Sequence, residues 1–435
     1  MNLYIPVETA SREIPYKVYL SALLSLKGFD CYIGTKSAIL NLLEETEDYV
    51  YFDKGFHNGV SQKFYDIIKS KRGLIMSLDE EGAVDYADDR IIKHRYAKEL
   101  FDYADHVFFW GSVQRKVVQG HIRDFSRVST SGHPRFQLLS AQYRKIYKKE
   151  VDTLTKEHGD YVLINTNMGF GNNINGDDFI RKNYGDRFSS LDDIIAFDKQ
   201  KCELITKTIR EIATKSNQKV ILRPHPEEEV GFYKSRLSDL PNVDVIYEGS
   251  VVPWILGSSY VVHPDCTTAI EAVFLGKKAF SLLPENYDPN IVTALPLEVS
   301  CRITSDQDVY SVIQMELQKE GTSEKVKELL KNYFSSDVNS SEHIVQEFEK
   351  IFRDNLPKVP YRILLKQITK NKLKSLYNTL APENFSRINK LSHNKIKDLK
   401  LSWIKSLLSY YRMLDNRIEP VTVQKIHNEL FRIRN

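Results

Sequence analysis

Cysteine is scarce in this chain. The four in 435 residues (Cys31, Cys202, Cys266 and Cys301) are scattered, with no C-x-x-C pair. That excludes a disulfide framework and leaves no zinc-binding spacing, as expected for a reducing compartment. Long apolar runs are missing too, and no stretch approaches the ~20 residues needed to span a bilayer. Met1–Glu8 reads as a strand, not as the basic-then-apolar layout of a secretion signal. Nineteen glycines and 15 prolines are too few for a low-complexity chain. These absences leave a globular protein, expected in the cytoplasm, with 42% hydrophobic and 27% charged residues.

Charge of one sign is absent overall but not locally. The net charge is +3, yet from Leu356 onward 17 Lys and Arg stand against 5 Asp and Glu, a local balance of +12. The residues before Leu356 therefore carry −9, and the basic character belongs to the tail.

Short apolar strands alternate with helical stretches through most of the chain. Strands are expected at Leu3–Val7, Asp30–Ile33, Tyr49–Phe52, Gly73–Leu78, His106–Trp110 and Arg127–Ser131, with a helix at Tyr16–Leu26. A second series runs through Tyr161–Ile164, Lys219–Leu222, Val243–Tyr247, Tyr260–Val262 and Lys278–Leu282, followed by a helix at Ser341–Phe352. Strands separated by helices predict parallel, doubly wound α/β sheets. The expected domains are residues 1–150 and 151–355, two Rossmann-like halves facing across a cleft, with a basic helical tail over 356–435.

Three clusters carry chemistry. Arg223-Pro224-His225-Pro226 follows a β-branched run, and its two prolines forbid helix and fix the turn. Either it is a rigid surface turn, or His225 meets a phosphate while Arg223 supports the charge or packs the turn. Thr267-Thr268 precedes Ala269-Ile270-Glu271-Ala272. The pair either caps that helix or seats a phosphate, with Glu271 one turn inside for a ribose or simply on the helix surface. Asp79-Glu80-Glu81-Gly82 ends the run Leu74–Leu78. It is either a solvated acidic loop or the source of a base whose pKa burial and mutual repulsion raise. No D-x-D is expected at a strand end to hold a metal, and a single departing phosphate can be neutralised by Arg, His and N–H groups without one.

Glu80-Glu81-Gly82, His225-Pro226 and Thr267-Thr268 together resemble the D/E-D/E-G, HP and S/S-T motifs of bacterial sialyltransferases, polysialyltransferases and capsule Kdo transferases. Those are GT-B glycosyltransferases using CMP-activated ulosonic acids. Longer phrases resemble the bacterial surface carbohydrate biosynthesis proteins: Leu3–Glu8, Ser77–Gly82, Gly132-His133-Pro134-Arg135-Phe136, Asn165-Thr166-Asn167 with Gly169–Asn173, and Arg223–Pro226. The resemblance covers roughly residues 1–335.

It implies Glu80 as general base, with Glu81 or Asp79 as substitutes. His225 would contact the CMP phosphate, Thr267 and Thr268 would bind it, and Glu271 would take the ribose. Arg223, Pro226, Asn167 and Gly169 would complete the donor side. Cys266 precedes the two threonines where serines are usual, which leaves open which hydroxyl acts. The carboxylate of an ulosonic acid, or the acceptor, needs its own partner. Arg135 and His133 or the Gly169–Asn173 loop are candidates, unless His133-Pro134-Arg135 is a structural turn.

The implied activity moves a nonulosonic acid (pseudaminic, legionaminic or sialic) or Kdo from its CMP donor to a saccharide acceptor, lipid-linked or free, in surface polysaccharide synthesis. No cofactor is implied. The alternatives are a CDP-polyol phosphotransferase of teichoic-acid type, a nucleotide-sugar 2-epimerase, and a non-catalytic capsule-assembly subunit. In the tail, Leu399, Trp403, Ile404, Leu407, Leu408 and Tyr411 share one helical face, with Lys397, Lys400, Lys405 and Arg412 around it. Such a helix either packs on the body or lies peripherally on an anionic membrane, where each basic residue contributes roughly 1 kcal/mol. The tail has no nucleic-acid-binding motif, so no nucleic acid is expected.

Overall fold

Runs such as Leu3-Tyr4-Ile5 and Val220-Ile221-Leu222 are apolar at successive positions and so have no face to offer water. Such runs belong inside parallel sheets covered on both sides. A computed structural model, which describes all residues except 87, 186–189, 217, 320 and 381–394, places them there, fully buried. The chain divides into two compact units. The first comprises Met1–Gly82, Asp89–Ile146 and Glu328–Asn435, and the second Ala83–Asp88 and Tyr147–Lys327.

The sheet of the first unit contains β1 (Asn2–Val7), β2 (Asp30–Thr35), β3 (Tyr49–Asp53), β4 (Leu74–Leu78), β5 (His106–Phe109) and β6 (Val128–Thr130). These six pair in parallel. Its core on one face gathers Tyr4, Ile39, Leu42, Tyr49, Ile75, Leu100 and Phe109. The second unit has its own sheet: β7 (Tyr161–Asn165), β8 (Lys219–Arg223), β9 (Val243–Val245), β10 (Val261–His263), β11 (Ala279–Leu283) and β12 (Cys301–Thr304). All pair in parallel, in the order β12-β11-β10-β7-β8-β9. Helix Leu191–Ser216 lays Ile205, Ile209 and Ile212 over Val162, Ile164, Val220 and Leu222.

Strand order reverses between β7 and β10. The connections leaving those two strands diverge there, which opens a crevice at the carboxyl ends of the strands, where ligands bind in open α/β sheets. Every segment expected to bind a donor leaves the carboxyl end of β7, β8 or β10.

The last hundred residues differ from the expectation. Residues 328–355, placed by sequence with the second domain, belong to the first unit. Helix Ser340–Ile351 buries Phe348 against Phe29 and Phe52, with ring centroids 5.8 and 5.5 Å apart. The tail is helical at Tyr361–Leu380 and Leu401–Leu414 but ends in a hairpin, β13 (Thr422–His427) and β14 (Leu430–Arg434). β14 adds antiparallel to β2, giving the sheet order β13-β14-β2-β1-β3-β4-β5-β6.

Of the face Leu399, Trp403, Ile404, Leu407, Leu408 and Tyr411, one candidate for a membrane surface, Trp403 is half-buried and the other five are buried. The face packs on helix Ala10–Leu26, where the Tyr411 hydroxyl donates to the Pro15 carbonyl at 2.9 Å and its ring lies 4.9 Å from that of Tyr19. The packed reading holds for that helix. No helix among the described residues is long and apolar enough to cross a membrane.

Candidate functional site

In the first unit, the acids after β4 meet residues from four other segments. Glu80 is 2% exposed. It accepts a hydrogen bond from the Tyr16 hydroxyl and has the Lys17 Nζ 2.9 Å from Oε1. Lys17 also pairs with Glu13 at 2.6 Å and donates to the Pro6 carbonyl at 2.7 Å. His133 Nε2 lies 3.6 Å from Glu80 Oε2. Burial opposes the Glu80 charge, but Lys17, His133 and Arg12 outweigh it and hold the carboxyl well below the usual range. A residue so held is a permanent anion and a weak base.

Its neighbours differ. Asp79, 3% exposed, pairs with Arg95 at 3.2 Å. Burial, only partly offset by Arg95, pushes its pKa up to about 6. A β-carbon at Gly55 would stand 2.6 Å from the Asp79 carboxylate, so glycine makes room for it. Glu81 has its side chain 46% exposed and pairs with Arg95 at 2.5 Å and Arg12 at 3.7 Å. Burial raises its pKa, but those two guanidinium groups win and depress it. Of the three acids, Asp79 has the pKa suited to proton abstraction near neutrality, although the resemblance had pointed first to Glu80.

His133 and Arg135 fall on the structural side. Burial holds the His133 pKa at about 4 against the pull of Glu80. Its Nδ1 accepts from the Arg135 N–H at 3.0 Å, capping the short helix Pro134–Gln137 and leaving the proton on Nε2, toward Glu80. The turn requires glycine at position 132, where φ is 73° and a β-carbon would sit 2.5 Å from Ser340 Oγ. The Arg135 guanidinium stacks 4.6 Å from the Phe136 ring centroid and 5.7 Å from that of Trp110.

In the second unit, the loops after β7, β8 and β10 are tied by two buried ionic nodes. The first is Glu228, 1% exposed. It accepts from the Thr166 hydroxyl (2.7 Å), the Met168 N–H (2.9 Å), the His225 N–H (3.2 Å) and the Tyr233 hydroxyl (2.5 Å). Burial pushes its pKa up to about 7, with these donors working the other way. The second node is Lys201, 2.9 Å from both Asp198 and Asp265, all three buried. Asp198 in turn accepts from the Phe170 and Gly171 N–H groups at 3.0 and 3.3 Å, and Asp265 from the Thr293 N–H at 3.1 Å.

The nodes sort the expected residues. Arg223 packs the turn. Its guanidinium donates to the carbonyls of Glu248 (2.7 Å) and Gly249 (3.2 Å), lies 5.0 Å from the Trp254 ring centroid, and has its pKa lowered to about 10 by burial. His225 stands half-buried between Pro224 and Pro226, its backbone clamped by Glu228 and its Nδ1 accepting from the Glu227 N–H at 3.3 Å. A β-carbon at Gly169 would lie 3.7 Å from that same nitrogen, which brings the β7 loop beside the histidine.

The Thr268 hydroxyl is committed. It accepts from Asn165 and donates to Cys266 Sγ, each at 3.2 Å. Thr267 occupies the N-cap position of helix Thr268–Phe274 without a side-chain cap bond, so of the pair its hydroxyl is the one open to a ligand. Asn167 donates to Asp265, while its buried Oδ1 has no hydrogen-bond partner. Glu271 is buried on helix Thr268–Phe274. In the Gly169–Asn173 loop, the Phe170, Gly171 and Asn172 N–H groups bond internally, so they do not greet an outside carboxylate.

Tyr16, Lys17, Arg95, Asp198, Lys201 and Glu228 belong to these clusters without being expected from the sequence. A signal existed for Lys17, the last charged residue of helix Ala10–Leu26, standing before an uncharged run and one turn after Glu13. Asp306-Gln307-Asp308 is a D-x-D that follows the unforeseen β12. There Asp308 caps helix Val309–Leu317 through the Ser311 N–H at 3.1 Å and pairs with Lys215 at 3.5 Å. Among the described residues, no group of three or more His, Cys, Asp or Glu is arranged to hold a metal ion.

No protein-family model matches the chain, and no curated protein does. Solved structures match at the level of fold. The UDP-GlcNAc 2-epimerases of Methanocaldococcus jannaschii and Neisseria meningitidis each align at TM-score 0.50 and 14% identity, over 80% of this chain and 100% of theirs. A further UDP-N-acetylglucosamine 2-epimerase aligns at TM-score 0.50 and 13% identity, over 83% of this chain and 99% of its own. The Neisseria enzyme is solved with UDP-GlcNAc bound. With them the chain shares a GT-B fold of two Rossmann-like sheets.

Proposed function

We propose that this GT-B protein is a glycosyltransferase that moves an ulosonic acid, a nonulosonic acid or Kdo, from its CMP donor onto a saccharide hydroxyl during surface polysaccharide synthesis. The observation that carries the reading is His225. It leaves β8 beside the β7/β10 reversal, its backbone held by a buried carboxylate and its ring next to the glycine loop of β7. In this reading its imidazole bonds the single phosphate of CMP and protonates it on departure, with the Thr267 hydroxyl as second donor. Arg223 acts behind the site, stiffening the turn. The Asn167 carbonyl oxygen accepts from the nucleoside. The acceptor hydroxyl loses its proton to Asp79, while Glu80 and Glu81 keep the surrounding cations in place. A monophosphate leaving group places modest charge on the site, so the reading includes no metal.

The test is nucleotide release and product analysis with a panel of CMP-ulosonates, run beside CDP-glycerol and UDP-GlcNAc. CMP release with an ulosonic acid joined to the acceptor is expected, and His225→Ala is expected to lower kcat by about 10²–10⁴-fold. Full activity in that variant would remove the assigned role. Turnover of CDP-glycerol or epimerisation of UDP-GlcNAc alone would replace the donor class.

A further inference from the structure

Helix Tyr361–Leu380 has two faces of different fate. Ile363, Leu364 and Gln367 are buried, and the first two join the core of the first unit with Ile368 beside them. On the other side, Tyr361 is 71% exposed, Leu365 43%, Leu373 61% and Leu376 55%. At 100° per residue these four fall within an arc of about 120°, a continuous apolar stripe rather than scattered residues. The helix carries five basic residues and no acidic one. Lys366, Lys370 and Lys374 hold it to the body through Glu45 (2.7 Å), Asn41 (3.2 Å) and Glu429 (2.7 Å). Arg362 and Lys372 project among the exposed apolar side chains.

Water gains nothing from such a stripe, and a monomeric surface rarely keeps one without a partner. The partner must accept leucine and tyrosine side chains and balance cations set between them. A bilayer surface rich in anionic lipid does both, taking the apolar side chains at the acyl boundary and the cations at the headgroups. We propose that this face of helix Tyr361–Leu380 seats the protein on anionic membrane. The seat is distinct from the Leu399–Tyr411 face, which is spent on packing, and it does not depend on which sugar is transferred.

The test is co-sedimentation of the full chain with vesicles of phosphatidylcholine, with and without phosphatidylglycerol. The wild type is expected to sediment with the anionic vesicles, weakly with the neutral ones, and less as salt rises. The triple substitution Leu365→Ser, Leu373→Ser, Leu376→Ser is expected to reduce anionic binding about tenfold or more with an unchanged melting temperature. Arg362→Glu with Lys372→Glu is expected to abolish the preference for anionic lipid. Wild-type protein left in the supernatant, or a triple variant that binds as the wild type does, would overturn the proposal. So would self-association without vesicles that the triple substitution abolishes, since a second copy would then own the face.

Discussion

Asp79, Glu80 and Glu81 are consecutive carboxylic acids with three different surroundings, and their positions in sequence predict none of the differences. Asp79 meets one guanidinium in a dry site, and its pKa rises to about 6. Glu80 meets an ammonium, a phenol and an imidazole, and its pKa falls. The linkage has opposite signs. Relative to an ordinary Asp near 3.9, native Asp79 binds extra protons between about pH 4 and 6. Its contribution to stability is therefore present below that window and lost as pH rises through 6. Glu80 contributes above its unfolded pKa and loses that contribution as pH falls. Glu80→Gln should thus cost about 2 kcal/mol at neutral pH, a deficit that shrinks below about pH 4, where the unfolded chain's carboxylate takes up a proton that native Glu80 resists. Urea titrations across that range check it, and a pH-independent deficit would refute the assignment. Asp79→Asn should spare stability near neutrality while lowering kcat/KM by about 10²–10⁴-fold. In the wild type, the acid limb of kcat/KM should break near pH 6.

At the scale of elements, period and run length made the parallel strands legible, because strands buried on both faces leave uninterrupted apolar segments. The closing hairpin was hidden for the opposite reason. In Leu430–Arg434 arginine alternates with apolar residues, but Thr422–His427 shows no period of two, and the excess of cations reads as a basic helical tail. Nor does any local pattern link it to β2, some 400 residues earlier. Glycine marks the join: a β-carbon at Gly34 would stand 2.5 Å from the Glu429 carbonyl oxygen and 2.9 Å from Leu430. Gly34→Ala should push β14 from its register and cost about 2 kcal/mol, read by chemical denaturation. An undisturbed midpoint would mean the edge yields more easily than its geometry implies. The donor-side loops show the same limit. His225 announced itself between two prolines, whereas Glu228 looked like one acid in a surface run of three, and only the fold gives it four donors from three segments.

The whole molecule is built from a second unit that lies almost wholly in one stretch and a first unit assembled from three, and that asymmetry governs how it can be divided. Residues 147–327 hold nearly all of the second unit, with all six strands and the helix Leu191–Ser216 that covers them. Residues 1–146 hold six strands of the first sheet but lack what covers helix Ala10–Leu26 and Trp110 and closes the edge at β2. That cover includes Phe334, Ile344, Val345, Phe348, Ile404, Leu407, Leu408, Tyr411, Leu430 and Ile433, all buried in the intact chain. At roughly 1.5–3 kcal/mol for each large apolar side chain buried, their joint loss exceeds the roughly 5–15 kcal/mol that stabilises an ordinary domain. A fragment of residues 147–327 should therefore be soluble and unfold cooperatively, whereas residues 1–146 should not fold alone and should recover a native spectrum only with residues 328–435 supplied in trans. Circular dichroism and amide exchange on the fragments decide it. A folded, exchange-protected 1–146 would mean that the returning segments decorate the first unit instead of completing it.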